Sequence, residues 1–182
     1  SEKMAADTAI KAVIGPLTSS QVFQTASIFL NARKPLLAPV ATSSDISRAF
    51  AGRGYFWRLT EPDISQTKTL LLLARSGGAH SVALLTEESQ YGASFEDWFG
   101  YFATELGLEV KGIQVLEPGN IDSCEEAWEN ASNHNPDAVI AAINSPAQSV
   151  ELAKHYRSKS KQIRLLFSDS ACLPALINNL GS

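Results

Sequence analysis

Residues 81–116, SVALLTEESQYGASFEDWFGYFATELGLEVKGIQVL, decide the fold. The first seven residues, SVALLTE, predict a strand, and residues 108–116 predict a second one. Between them, large apolar side chains recur at helical spacing and predict an amphipathic helix that ends at Gly107: Phe95, Trp98, Phe99, Phe102 and Leu106. A strand, a helix and a strand in this order predict a right-handed βαβ crossover between parallel strands.

The same alternation extends in both directions along the chain. Towards the amino terminus, a helix is predicted from Asp63 to Gly77, and Gln66 completes a capping-box pattern at its start. Residues 44–54 are mixed and glycine-rich and carry no such prediction. The other predicted elements are strands at 11–15, 35–40, 137–143 and 163–169, and helices within 19–33, 124–134, 147–158 and 172–181. The expected fold class is α/β, with Rossmann-like open parallel sheets that carry helices on both faces.

The composition argues against several classes of function. The formal net charge of −4 argues against nucleic acid as the main partner, because phosphate binding needs a basic face. No apolar run is long enough to span a bilayer. The two cysteines, Cys124 and Cys172, are too few and too far apart to indicate a disulfide framework or a metal site. We expect neither a metal nor a cofactor.

Catalysis is an alternative that the sequence disfavours. In an open parallel sheet, functional groups gather in the loops that follow the strands. None of the three histidines, His80, His134 and His155, lies in such a loop. Cys172 follows Asp169 by three residues, but no histidine is placed to activate its thiol. We therefore predict that the protein is not an enzyme.

The loops after the first two predicted strands carry hydroxyl groups. Thr18 and Ser19 precede a helix, whose free backbone N–H groups suit a carboxylate. Capping of that helix by Ser19 or Ser20 is the simpler explanation of the same residues. Thr42 follows the second strand, where a plain polar turn is the simpler explanation.

Polar groups also follow the later strands. Tyr91 either lies over a ligand or fills the edge of the core. Asn144 and Ser145 precede a helix that starts with proline. Asp169 is placed where a carboxylate can meet the ammonium group of a ligand, or can cap a helix. The shared polarity of these loops indicates a ligand site more strongly than any one loop does.

Five blocks of the chain resemble type I periplasmic binding proteins. They are AVIGPLTSS, KPLLAPVATSSDIS, YFWRLTEPDISQ, VALLTEESQYG and PDAVIAAINSPAQSVELAKHYR. The blocks keep the order of the family and extend over nearly the whole chain. The group that they most resemble is the branched-chain amino-acid binding proteins and the related receptor ligand-binding regions.

This resemblance implies a set of binding residues. The family's carboxylate-binding serine falls on Ser19, beside Thr18, and its Ala-Thr pair falls on Ala41 and Thr42, with the Val40 carbonyl nearby. The family's Tyr-Gly step falls on Tyr91, and its acidic residue for the ammonium group falls on Asp169. Where amino-acid binders often have an aromatic residue, this chain has Asn144 or Ser145, which indicates a different or more polar ligand than an apolar amino acid.

The resemblance also implies an organisation in two lobes that close on a small-molecule ligand, an amino acid or an amide. Residues 1–57 would be the carboxyl-terminal part of lobe 1, and residues 58–182 most of lobe 2, with a hinge crossing near 57–62. The first lobe would be incomplete, so we expect the chain either to dimerise or swap strands, or to be a fragment of a longer product.

The family further implies a periplasmic or extracytoplasmic location, a lipid anchor in the full-length protein as one option, and a membrane permease of an ABC transporter as the partner. A ligand-sensing domain of a receptor or transcription regulator shares this fold and remains the alternative.

Overall fold

The computed structural model describes residues 1–159 and 162–180, which fall into two compact units. The first unit is Ser1–Asp63, and the second begins at Ile64. The predicted lobe boundary at residues 57 and 58 falls inside a short strand, Phe56–Arg58. The assignment of the units to two lobes stays a prediction.

The first unit is a small parallel sheet with three helices. Its strands are β1 (Val13–Ile14), β2 (Leu36–Ala38) and β3 (Phe56–Arg58), which lie in the order β1-β2-β3. Its helices are α1 (Glu2–Ala6), α2 (Ser19–Asn31) and α3 (Ser44–Phe50). No element was predicted in 44–54, and this was wrong, because α3 lies there. The short helix is stabilised by tertiary contacts, since its Ile46 and Phe50 are buried.

The two faces of this sheet differ. Val13, Leu36 and Phe56 lie in register across the strands and pack with the buried side chains of α2 and α3. On the opposite face, Ile14 is 76% exposed and Trp57 is 48% exposed. The expected dimer or strand swap stays a prediction.

The second unit is a larger parallel sheet in the order β5-β4-β6-β7. Its strands are β4 (Ser81–Glu87), β5 (Glu109–Leu116), β6 (Ala138–Ala142) and β7 (Arg164–Phe167). Its helices are α4 (Asp63–Ser76), α5 (Gln90–Glu105), α6 (Ser123–Ser132), α7 (Pro146–Lys159) and α8 (Pro174–Leu180), and a single 3₁₀ turn spans Asp169–Ala171. The predicted final helix, 172–181, begins two residues late in the structure, and Gly181 lies outside the described residues.

Alternate residues of the central strands fill two cores, one on each face of the sheet. Val82 and Leu84 of β4 pack with α4 and α5, where Phe95, Phe99 and Phe102 are buried. Ala83 and Leu85 point to the other face and pack with α6 and α7. Because successive side chains of a strand alternate, a strand buried on both faces is largely apolar. The expected α/β fold class with helices on both faces is confirmed.

The strand order creates a switch point in this sheet. The chain runs from β4 through α5 to β5 on one side, and from β6 through α7 to β7 on the other. The carboxyl ends of β4 and β6 therefore lie side by side, between connections that leave in opposite directions. In open α/β sheets this crevice is where ligands bind. In the described part of the chain, no helix combines the length and the apolar character that a membrane span requires.

Candidate functional site

In the first unit, Ser19 and Ser43 join the loops that follow β1 and β2. The backbone N–H of Ser43 donates to the Ser19 Oγ at 3.1 Å, and both residues are buried. Ser19 opens α2, and Ser43 directly precedes α3. The expected gathering of these two loops at the carboxyl edge of the sheet is therefore seen, while the ligand role of Ser19 stays a prediction.

Thr18 caps α2. Its hydroxyl oxygen accepts from the Gln21 backbone N–H at 3.3 Å, and its own N–H donates to the Gln21 Oε1 at 3.2 Å. Together these bonds form a capping box. Capping of this helix was predicted correctly, but the capping residue is Thr18, which precedes the first helical turn, and not Ser19 or Ser20. The ligand role of Thr18 stays a prediction.

The residues after β2 differ sharply in exposure. Val40 is about half exposed, whereas Ala41 and Thr42 are buried. The Thr42 carbonyl accepts from the Asp63 backbone N–H at 2.9 Å. The loop is thus held by its backbone, and the ligand contacts of Val40, Ala41 and Thr42 stay a prediction.

Arg58 supports this loop, although the sequence patterns did not predict it as a site residue. Its guanidinium donates to the Ser43 carbonyl at 2.8 Å, to the Ser47 Oγ at 2.8 Å and to the Thr42 carbonyl at 3.3 Å. Burial lowers the pKa of Arg58, while the charges of Asp63 and Glu61 act in the opposite direction. An arginine inside the apolar strand segment YFWRLT was the available signal.

In the second unit, Tyr91 and Asp169 form a polar cluster with Gln66 of α4. The Tyr91 hydroxyl donates to the Asp169 Oδ1 at 3.0 Å. The Gln66 Oε1 accepts from the Asp169 backbone N–H at 3.2 Å and lies 3.5 Å from the Tyr91 hydroxyl. Tyr91 is buried and Asp169 is exposed. The structure therefore brings these two predicted residues together, and it adds Gln66, which was predicted only as part of a capping box.

Ser170 links this cluster to the end of β6. Its hydroxyl donates to the Ile143 carbonyl at 2.7 Å and lies 2.8 Å from the Ser168 Oγ and 3.4 Å from the Tyr91 hydroxyl. These contacts hold the 3₁₀ turn against the sheet and so position the Asp169 carboxylate.

Asn144 and Ser145 follow β6 and have different partners. Asn144 donates twice to the buried Glu87 carboxylate, from its backbone N–H to Oε2 at 3.0 Å and from Nδ2 to Oε1 at 2.8 Å. The Ser145 Oγ accepts from the Gln148 backbone N–H at 3.3 Å, as an N-cap side chain does. Within residues 1–159 and 162–180, neither residue forms a hydrogen bond with Tyr91 or Asp169. Glu87 was not predicted as a site residue, although it ends the predicted strand SVALLTE.

Gly92 allows α5 to approach β4 closely. A Cβ atom at this position would lie 2.0 Å from the Glu87 carbonyl oxygen and 2.5 Å from the Thr86 Oγ1. The Gly92 N–H donates to the Ser89 Oγ at 3.1 Å, which caps the helix. The Tyr-Gly step therefore places Tyr91 over the end of the sheet because the next residue has no side chain.

The fold and the polar carboxyl edges of both sheets are those of a two-unit α/β binding protein. The family model described as "Periplasmic binding protein" matches residues 2–166, so the chain belongs to this family. The expected resemblance to type I periplasmic binding proteins is confirmed. No curated protein matches the chain.

Solved structures with the same fold include several solute-binding proteins. The leucine-binding protein LivK from Thermotoga maritima is 24% identical, with a TM-score of 0.86 over 100% of this chain and 51% of that chain. A Rhodopseudomonas palustris solute-binding protein in complex with 4-hydroxybenzoate is 15% identical, with a TM-score of 0.88 over 100% of this chain and 49% of that one. A substrate-binding protein from Desulfitobacterium hafniense, in complex with Leu, is 20% identical, with a TM-score of 0.72 over 91% of this chain and 49% of that one.

At these identities the likeness shows the fold alone. The chain spans about half the length of the solved structures that it matches. The family and these relatives are binding proteins.

Proposed function

We propose that this protein is the extracytoplasmic solute-binding component of an ABC-type transporter. Its ligand would be an amino acid or a similar small polar molecule, bound in a cleft between two lobes. The family match supports binding as the function, and the relatives named above are ABC transporter or leucine-binding proteins. The partner would be the permease of that transporter, and the compartment would be the periplasm or its equivalent.

The observation that carries the ligand class is the exposed Asp169 carboxylate, held by the hydroxyl of the buried Tyr91. A positioned carboxylate suits a ligand ammonium group, because hydrogen bonds to charged groups are the stronger ones. Among the ligands in the relatives, Leu carries such a group and 4-hydroxybenzoate does not. An amine-bearing ligand is therefore favoured over an aromatic acid.

The groups of the first unit suit the carboxylate end of an amino acid. The Ser19 Oγ accepts a hydrogen bond from Ser43, and this leaves the hydroxyl proton of Ser19 available to donate. Thr42 offers a second hydroxyl in the neighbouring loop. A ligand held by Ser19 and Thr42 at one end and by Asp169 at the other would favour a closed arrangement of the lobes.

The test is isothermal titration calorimetry on the full-length protein with L-leucine, L-asparagine and 4-hydroxybenzoate. Asp169→Asn keeps the shape and removes the charge, and we expect it to weaken amino-acid binding by about tenfold to a hundredfold. The matched control is Asp97→Asn, which removes an exposed carboxylate on α5 and should leave the affinity unchanged.

Two outcomes would contradict the proposal. Binding of 4-hydroxybenzoate without any amino acid would overturn the ligand class. Equal amino-acid affinities for the Asp169→Asn variant and the wild type would remove Asp169 from the site. A ligand-dependent decrease in the radius of gyration, measured by small-angle X-ray scattering, would support closure of the lobes.

A further inference from the structure

Glu87 is a buried carboxylate, and both of its oxygens accept hydrogen bonds from the same residue, Asn144. It ends β4 and is 3% exposed. Its Oε2 accepts the backbone N–H of Asn144 at 3.0 Å, and its Oε1 accepts the side-chain Nδ2 at 2.8 Å. Both oxygens of the Glu87 carboxyl group accept from Asn144, so the amide NH₂ group of Asn144 faces Glu87. The orientation of the Asn144 carboxamide is therefore set by Glu87.

The oxygen of that carboxamide points away from Glu87. Within the described residues, the Asn144 Oδ1 accepts no hydrogen bond, and the side chain is half-buried. Asn144 follows β6 beside the end of β4, which is the switch point of the sheet. The preceding carbonyl, that of Ile143, is bonded to Ser170, whose hydroxyl lies 3.4 Å from the Tyr91 hydroxyl. The Asn144 Oδ1 thus belongs to the same polar edge as Asp169.

We propose that Glu87 is a positioning residue for ligand selection. By fixing Asn144, it presents a pure hydrogen-bond acceptor to the side chain of the ligand. The site then selects amino acids whose side chain carries a donor, such as an amide or a hydroxyl, over apolar or acceptor-only side chains of the same shape. This inference rests on the proposed amino-acid binding function.

Three neutral ligands of the same shape separate these cases. L-Asparagine carries a donor and an acceptor, 2-amino-4-oxopentanoate carries an acceptor in the form of a ketone, and L-leucine carries neither. The Asn144 Oδ1 stays unpaired in the complex when it faces the oxygen of the ketone or a methyl group of either ligand. We therefore expect wild-type protein to bind L-asparagine about tenfold more tightly than either of the other two.

Glu87→Gln should replace the hydrogen-bond acceptor that faces the ligand with a donor. The backbone N–H of Asn144 cannot turn, so the new Gln Oε1 must accept it, and the Gln Nε2 then faces the Asn144 side chain. Asn144 must flip its carboxamide, so that Oδ1 accepts from the glutamine and Nδ2 points towards the ligand. The affinity for the ketone should then rise about tenfold relative to that for L-leucine, because the ketone oxygen accepts from Nδ2. It should approach the affinity for L-asparagine, which can rotate its own amide so that its oxygen accepts instead.

The experiment is calorimetry of the full-length wild type and Glu87→Gln with the three ligands, after thermal unfolding has verified that the variant folds. The charge control is Glu88→Gln, because Glu88 is exposed and adjacent, and lacks the side-chain bonds to Asn144. This control should keep the wild-type ranking.

The results distinguish a failure of this inference from a failure of the proposed function. Amino-acid binding with the same ranking in Glu87→Gln as in wild type would overturn the inference alone. A wild-type preference for L-leucine or the ketone over L-asparagine would overturn it even if the variant does not fold. A failure of all three ligands to bind wild-type protein would overturn the amino-acid function, and the inference with it.

Discussion

Tyr91 and Asp169 lie 78 residues apart in the chain, and the tyrosine hydroxyl donates to the Asp169 Oδ1 at 3.0 Å. Tyr91 belongs to the first turn of α5, and Asp169 to the turn after β7. They meet because the two loops leave the same edge of one parallel sheet, although β4 and β7 are separated by β6. The bond joins a buried aromatic ring to an exposed carboxylate, and so fixes a charged group at the surface.

Tyr91→Phe should keep the fold and lose this bond. The ring of Tyr91 packs edge-on against Phe95, with centroids 5.1 Å apart, and phenylalanine preserves that contact. Loss of the hydroxyl should lower the free energy of unfolding by about 1 kcal/mol. Urea denaturation measures the change, and Tyr101→Phe is the control, because the Tyr101 hydroxyl bonds to Glu105 on the exposed surface of the same helix. Equal losses in both variants would contradict a special role for Tyr91.

Ser19→Ala should destabilise the first unit. The substitution leaves the buried N–H of Ser43 without its acceptor, which costs about 1–3 kcal/mol. The matched control is Ser27→Ala, since Ser27 is exposed on the same helix and alanine is the better helix former. Urea denaturation should show a large loss for Ser19→Ala and no loss for Ser27→Ala. A stable Ser19→Ala variant would show that the Ser43 N–H has another partner.

Gly92→Ala and Gly100→Ala should have opposite effects. At Gly92 the added methyl group would lie 2.0 Å from a backbone carbonyl oxygen, so α5 must move away from β4, at a cost of about 1–3 kcal/mol or more. At Gly100, on the same helix, nothing lies within 4 Å of the added atom. Alanine there should stabilise by about 0.5–1 kcal/mol. Thermal unfolding of both variants measures the difference, and a neutral Gly92→Ala would contradict the close approach.

Asp137 should make stability depend on pH in the acidic range. Hydrogen bonds from the His80 backbone N–H and from the hydroxyl and backbone N–H of Ser81 lower the pKa of this carboxyl group. A lowered pKa in the folded state means that the stabilisation is present above the ordinary value of about 3.9 and is lost as the pH falls through the folded value.

We expect Asp137→Asn to be less stable than wild type at about pH 6 and to approach it as the pH falls towards about 2. Urea denaturation across this range measures the gap. A gap that stays constant with pH would contradict the role of the charged carboxylate, whereas a gap that closes at low pH would support it.

The sequence predicted the second unit well because its elements have strong local patterns. Strand β6 is apolar throughout and is buried on both faces, and α5 carries its buried aromatic residues, Phe95, Phe99 and Phe102 among them, on one side. Helix α3 was missed because its seven residues have weak propensity and are stabilised by the burial of Ile46 and Phe50. Strand β3 is three residues long, too short to give a clear alternation.

The candidate site was predictable only in part. Loops after strands identified Tyr91 and Asp169, and the structure joins them directly. It gives Thr18 a capping role and pairs Asn144 with Glu87. Gln66 and Arg58 were missed as site residues because their partners are distant in the chain, and no local pattern shows such contacts.

The sequence by itself determined the parallel α/β architecture, since apolar periodicity and glycine positions act over a few residues, and it identified the loops in which polar groups gather. Only the tertiary structure decided which of those groups face each other. The Tyr91 hydroxyl and the Asp169 carboxylate meet because strand order brings their loops to one edge of the sheet, and strand order depends on the packing of two cores far larger than any local segment.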